Sequence, residues 1–270
     1  MSIPDPKKMV HAFWNEASCG ETLYLRGDNC EGFAAQLRLR YELEPYILDF
    51  ARFEEAKGKK VLEIGVGLGA DHQKFSEAGA DLYGIDLTER AVVHTKNRLA
   101  CFGLKSRLEV GDAETLNFDD ESFDLVYSWG VLHHSPNTSQ AVSEVWRVLR
   151  RGGICRIMVY NKWSIVGVLL WLRYALLVLK PFTSLKEIYA SYLESPGTKA
   201  YSKTEVAALF QIFSEVRVHT VLTHADLLES FAGQRHQGMI LAIGRKFWPR
   251  KLIRKVFPNA GLFMLIEGIK

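Results

Sequence analysis

Between Lys60 and Tyr160, five short apolar runs alternate with segments of helical length, and this rhythm limits the fold more than any other feature of the 270-residue chain. The runs are KVLEI (60–64), DLYGI (81–85), RLEV (107–110), FDLVYS (123–128) and ICRIMVY (154–160). The helix-like segments cover 69–78, 88–102 and 138–150. Strands separated by helices run parallel and are joined by right-handed crossovers. Near-continuous apolar strands are expected where both sheet faces are covered. A doubly wound, mostly parallel α/β sheet is therefore predicted. EVRVHTVL (215–222) and GLFMLIEGI (261–269) would add antiparallel C-terminal edge strands. Ligands in such sheets bind beyond the carboxyl ends of the strands.

The flanking sequence is different in kind. Residues 1–57 read as helix and loop, and Pro45 should start or kink a helix. The four cysteines, Cys19, Cys30, Cys101 and Cys155, are scattered and form no CxxC pair. That argues against structural zinc and a disulfide framework, and suits a reducing, cytoplasmic compartment. No long apolar stretch opens the chain, so no secretory signal is expected. Charge is divided unevenly. Residues 1–160 carry 19 Lys and Arg against 24 Asp and Glu, whereas 161–270 carry 15 against 7, a net of +8.

The first strand run ends in VLEIGVGLG (61–69). Gly65, Gly67 and Gly69 form a turn between strand and helix, where missing side chains let a ligand approach and the helix start offers amide donors. A tight turn without a ligand would look the same in isolation. Asp86, however, follows the second strand run 21 residues after Gly65, a spacing suited to ribose hydroxyls. Asp112 follows the third. Gly65-x-Gly67-x-x-Ala70 also satisfies the looser dinucleotide fingerprint, which keeps an NAD enzyme open. Glu63, just before the first glycine, is a poor neighbour for pyrophosphate and a better one for a cation.

VLEIGVGLGAD, followed by YGIDLTERAV, EVGDAETLNF, FDLVYSWGVLHHSPN and VWRVLRRGGICRIMVY, resembles the class I S-adenosylmethionine-dependent methyltransferases, nearest the small-molecule branch that includes quinone and sterol methylases. The resemblance covers about residues 58–160. It implies a Rossmann-like methyltransferase domain over 58–270, with insertions at 163–200 and 224–258 and an N-terminal helical lid over 1–57. It implies roles as well. Glu63, Gly65, Gly67 and Gly69 would hold the methionine end of S-adenosyl-L-methionine, and Asp71 would reach its amino group. Asp86 would bind the ribose, with Leu87 against the adenine. Asp112 and Ala113 would meet the adenine edge, and Ser128 and Trp129 would line the cofactor beneath the methyl. His11, Trp14, Cys19 and Tyr24 belong to the lid segment.

Methyl transfer from a sulfonium needs positioning, a dry pocket and, for a protic acceptor, a base. His133, in VLHHSPN, is the expected base. Tyr160 and Asn161 at the end of the fifth run are expected at the acceptor. SWGV stands where nucleic-acid amino-methylases carry NPPY or DPPY, so no nucleic-acid partner is expected.

Ile165 to Leu179 is almost wholly apolar but short for a bilayer span. It would roof the pocket, form a homodimer surface or touch a membrane. In RKFWPRKLIRK (245–255) and its continuation, Leu252, Ile253, Val256 and Phe257 fall on one helical arc. Arg250, Lys251, Arg254 and Lys255 fall on the other, a pattern that suits an anionic interface. Together these features point to peripheral membrane contact through 163–180 and 245–257, and to methyl transfer onto a small, apolar or lipid-like acceptor. A non-catalytic cofactor-binding sensor or scaffold stays open beside that reading.

Overall fold

The computed structural model describes residues 5–229 and 245–270. One seven-stranded sheet has the order β3-β2-β1-β4-β5-β7-β6. Strands β1 (Lys60–Ile64), β2 (Asp81–Asp86), β3 (Arg107–Val110), β4 (Phe123–Trp129) and β5 (Leu149–Tyr160) pair in parallel. β7 (Phe263–Ile269) is the antiparallel strand. It enters between β5 and β6 (Glu215–Val221), one place in from the edge, so β6 closes the sheet. The order reverses at β1 and β4, and their carboxyl ends open the crevice in which ligands of such sheets bind.

Alternate strand residues feed two cores, as the pleat requires. Leu62, Ile64, Val126, Ile157 and Ile266 pack with Ala141, Val142 and Val145 of α7 (Thr138–Val148). Val61, Leu125, Tyr127, Met158 and Leu265 pack on the opposite face with Phe50 and Phe75. The crossover helices α5 (Ala70–Glu77) and α6 (Glu89–Cys101) begin close to their expected positions, with Thr88 Oγ1 capping α6.

Among the described residues, four α-helices and a 3-10 turn (Phe53–Ala56) precede the sheet: α1 (Pro6–Glu16), α2 (Glu21–Tyr24), α3 (Cys30–Leu43) and α4 (Tyr46–Ala51). Pro45 separates α3 from α4, as its fixed φ and missing donor require. Cys30, the first residue of α3, forms a disulfide with Cys101, the last of α6. This corrects the expectation that no disulfide is present. The partners lie 71 residues apart, and only the packing of α3 beside α6 joins them. The inference of a reducing compartment loses its basis with it.

The apolar stretch after β5 is not one helix. α8 (Ile165–Trp171) passes into a π-helical turn over Leu172–Leu176. α9 (Leu185–Tyr192), α10 (Lys203–Leu209) and α11 (Arg250–Val256) follow. Among the described residues, no helix is long and apolar enough to cross a membrane. The expected insertion at 224–258 lies partly outside the described residues.

Candidate active site

The glycine turn is shaped by two different needs. Gly65 has φ +84°, and a Cβ there would come within 2.1 Å of Val131 Cγ2, so the β4 loop packs directly on its backbone. Gly67 has φ +52°, and a Cβ there would meet nothing within 4 Å. It lines a cavity of about 990 Å³, which also reaches Glu63, Gly65, Gly69, Asp86, Leu87, Asp112, Ala113 and Trp129. Gly67 therefore presents bare backbone to the space a ligand takes.

Asp86 fixes this turn as well as facing the cavity. Its Oδ2 accepts from the Gly67 amide at 3.1 Å, and its Oδ1 from the Thr88 amide and hydroxyl at 3.0 and 2.9 Å. Asp112 accepts from the Glu114 amide at 2.9 Å, and Lys7 of α1 lies 2.5 Å from its Oδ2 and 2.8 Å from Glu114.

Glu63 is buried and paired. His72 Nδ1 lies 2.8 Å from Glu63 Oε2, and His72 Nε2 lies 2.7 Å from Ser106 Oγ. The Ser106 hydroxyl donates to Leu82 O at 2.8 Å, so Ser106 accepts the Nε2 proton. Nδ1 therefore faces Glu63 with one proton between them. Burial pushes the Glu63 carboxyl well above the usual range and His72 down to about 3, which favours the uncharged arrangement. Glu63 thus carries no fixed negative charge, and a proton can shift between it and His72.

Asp71 lines the cavity, but its carboxylate is already engaged by protein donors. Arg40 donates to Oδ1 and Oδ2 at 3.0 and 2.7 Å, Tyr41 to Oδ1 at 3.0 Å and Tyr127 to Oδ2 at 2.9 Å. Burial opposes charge here, but Arg40 and these donors outweigh it and hold the carboxyl below its ordinary range. With its acceptor sites filled, Asp71 anchors α3 to α5. Ser128 is also corrected. It is fully buried, lies outside the cavity lining and donates to Ile64 O at 3.0 Å, whereas Trp129 on the opposite pleat lines the cavity.

The two adjacent histidines have different surroundings. His133 is fully buried, with its ring 4.1 Å from that of Tyr160 and outside the cavity lining. His134 lines the cavity instead. Its Nδ1 lies 2.8 Å from Ser195 Oγ and 3.1 Å from Thr198 Oγ1, and its Nε2 lies 3.3 Å from Glu194 Oε2. Tyr160 lines the cavity and donates to Glu194 Oε2 at 2.6 Å. Burial raises its phenol well above the ordinary range, so it acts as a neutral donor. Asn161 is occupied with Gly261 O and the Trp163 amide. Trp14, Cys19 and Tyr24 line the cavity, and His11 lies 3.2 Å from Glu89. Glu194, Arg40 and Glu44 carried no sequence signal. The fold alone brings them to this wall.

Much of the remaining wall is apolar and comes from the segment after β5, where Val166, Leu169, Leu170 and Leu193 meet Leu262 and Phe263, with Arg173, Thr223 and His224 as polar members.

Residues 62–157 match a family model described as a methyltransferase domain. The chain is 33% identical over 114 residues to phosphoethanolamine N-methyltransferase 2 of Caenorhabditis elegans, an overlap of 41% of this chain and 26% of the relative. It is 41% identical over 98 residues to phthiotriol/phenolphthiotriol dimycocerosates methyltransferase of Mycobacterium tuberculosis, covering 36% of each. The chain thus spans about a quarter to a third of these curated relatives. Haemonchus contortus phosphoethanolamine N-methyltransferase 2, solved with phosphomonomethylethanolamine and S-adenosylhomocysteine, superposes with a TM-score of 0.61 at 18% identity, over 97% of this chain and 60% of that one.

Proposed function

We propose that the chain is a class I S-adenosylmethionine-dependent methyltransferase that transfers a methyl group to a small, lipid-like acceptor, a reading supported by the methyltransferase-domain match over residues 62–157 and by relatives named as methyltransferases. The cofactor supplies an activated methyl on a cationic sulfur, which leaves as a neutral thioether. The residues at the switch point fit that cofactor. Gly67 turns bare backbone to the cavity, and Glu63, Asp86 and Asp112 bring three carboxyl groups to its wall.

Gly65 and Gly67 admit the methionine end, and Glu63 meets its ammonium. Asp86 binds the ribose while pinning the Gly67 amide. Leu87 and Ala113 flank the adenine, and Asp112 accepts from its amino group. Trp129 closes the floor beneath the methyl. The helices over 5–57 act as a lid, tied down by Lys7 on Asp112 and by Glu21 on Arg90. His134 and Glu194 take the acceptor's proton, with Tyr160 orienting Glu194 through its hydroxyl.

The observation that carries the acceptor class is the contrast within one cavity. The His134–Glu194–Tyr160 cluster is polar, and the wall built by Val166, Leu169, Leu170 and Phe263 is apolar. An amphipathic molecule fits both halves. The curated relative named for a phthiotriol substrate supports this reading, whereas the one named for phosphoethanolamine, a small polar molecule, supports only a small acceptor. The basic C-terminal half suits delivery from a membrane. Incubation with methyl-deuterated S-adenosylmethionine and fractionated lipid or polar extracts tests it. A labelled product in the lipid fraction is expected, and label confined to polar metabolites overturns the acceptor class. Cofactor binding without label in any fraction supports the sensor or scaffold alternative.

A further inference from the structure

The rim of the cavity carries apolar surface that its position in the fold leaves uncovered. Beyond the π-helical turn, Leu177, Leu179 and Phe182 are 77%, 90% and 100% exposed. Leu179 has φ +59°. A left-handed residue closing a helical segment is usually glycine, because a side chain there is strained and gains nothing from solvent. A second apolar patch, with Phe247 at 76% and Leu252 and Phe257 more than half exposed, surrounds α11. Both patches adjoin the lining of the one cavity, Leu172 and Leu177 beside the first and Leu228 and Trp248 beside the second. Hydrogen bonds from the Trp248 indole to Asp226 O and from the Val166 amide to Asp226 Oδ1 tie the two regions together.

Exposed cations are set among these apolar residues: Arg173, Lys180 and Lys186 in the first patch, and Lys246, Lys251 and Lys255 in the second. Arg250 is excluded from this set because its guanidinium is spent on Leu227 O and Leu228 O. Arg254 is paired with Glu229, and Glu187 is the acid exposed beside Lys186. Two copies meeting through this face would set like charges against each other. An anionic lipid surface accepts both components, because apolar side chains enter the acyl boundary while lysines remain among the headgroups.

We propose that this rim docks on an anionic membrane and holds the cavity mouth against the bilayer. A lipid-like acceptor then passes between membrane and active site without crossing water. Docking itself needs only the rim. The passage of acceptor rests on the acceptor class proposed above.

The test is flotation of the full chain with phosphatidylcholine vesicles, with and without phosphatidylglycerol, alongside Leu179→Asp/Phe182→Asp and Lys180→Glu/Lys251→Glu/Lys255→Glu. None of these residues lines the cavity. The unaltered chain is expected to float with anionic vesicles at least tenfold more than with neutral ones, and less in high salt. Each variant should lose at least tenfold of that binding, with unchanged thermal midpoint and unchanged affinity for S-adenosylhomocysteine. Absence of flotation, or equal flotation by the variants, overturns the proposal. So does a vesicle-free dimer in sedimentation that the same variants dissolve, since a second copy would then cover the face. Methylation of a detergent-dispersed lipid without flotation would reject docking alone. Flotation with no lipid methylated would reject the acceptor class alone.

Discussion

Glu63 Oε2 and His72 Nδ1 meet 2.8 Å apart behind the glycine turn, sharing one proton because Ser106 already accepts from the other ring nitrogen. A cation arriving at Glu63 favours the proton on His72 and the charge on Glu63. Gln at position 63 can donate from its amide to the same Nδ1, but it cannot become negative. Glu63→Gln should therefore leave the thermal midpoint within about 2 °C, a shift worth less than ~1 kcal/mol in a chain this size. It should weaken S-adenosylmethionine binding by about 1.5–3 kcal/mol, the range for hydrogen bonds to charged groups. Calorimetric titration and scanning of the two proteins check this. Unchanged affinity would place the ammonium elsewhere.

His134, not His133, should control turnover. For an acceptor that must lose a proton, His134→Ala should lower kcat by about 100-fold or more, with S-adenosylhomocysteine affinity preserved. His133→Ala should instead cost about 1–3 kcal/mol of stability, because it removes a fully buried ring packed on Tyr160. Steady-state kinetics set against thermal unfolding separates the two. Normal turnover in His134→Ala would return the base to another group.

The contact between Glu21 and Arg90 should be acid-sensitive. Arg90 donates to both oxygens of Glu21 at 2.7 and 2.5 Å, and this pairing holds the carboxyl down at about 2 against an ordinary 4.5. The folded state thus binds fewer protons than the unfolded one between these values. The contribution is full above about pH 4.5 and is lost as pH falls through about 2. Arg90 is 40% exposed, so solvent screening reduces it to about 1–2 kcal/mol. The stability difference between the unaltered chain and Glu21→Gln should be constant above about pH 5 and shrink steadily in acid. A difference that grows in acid would contradict the pairing.

Much of the sheet was readable because buried parallel strands leave uninterrupted apolar runs, and β1, β3 and the glycine turn fall where those runs place them. Residues beside one another in sequence were harder to assign. Ser128 and Trp129 are neighbours on one strand, so the pleat turns them to opposite faces, and alternation alone could have excluded one of them. His133 and His134 share a tight helical turn whose orientation depends on Tyr160 and Ser195, neither of which is local. Asp71 looked available because Arg40, Tyr41 and Tyr127 reach it only in the folded chain. Glu194 arrives from the segment after β5, where composition shows apolar bulk and nothing of a carboxylate facing His134.

The Cys30–Cys101 bridge should stabilise the chain through the unfolded state. Loop-closure entropy for a bridge spanning 71 residues corresponds to about 4.4 kcal/mol, and bridges typically deliver about 2–4 kcal/mol. Cys30→Ser should lower the thermal midpoint, and a reductant should lower that of the unaltered chain to the same value. A reductant effect that persists in Cys30→Ser would show that the bridge is not responsible.

The central claim is that the crevice above β1 and β4 holds a sulfonium cofactor, and calorimetric titration with S-adenosylmethionine, S-adenosylhomocysteine and NADH tests it most directly. The unaltered chain should bind the first two at one site per chain and ignore the third. Gly67→Val, which fills the open side of the turn, should bind at least tenfold more weakly. No heat with either sulfur compound, or equal affinity in Gly67→Val, would contradict the account.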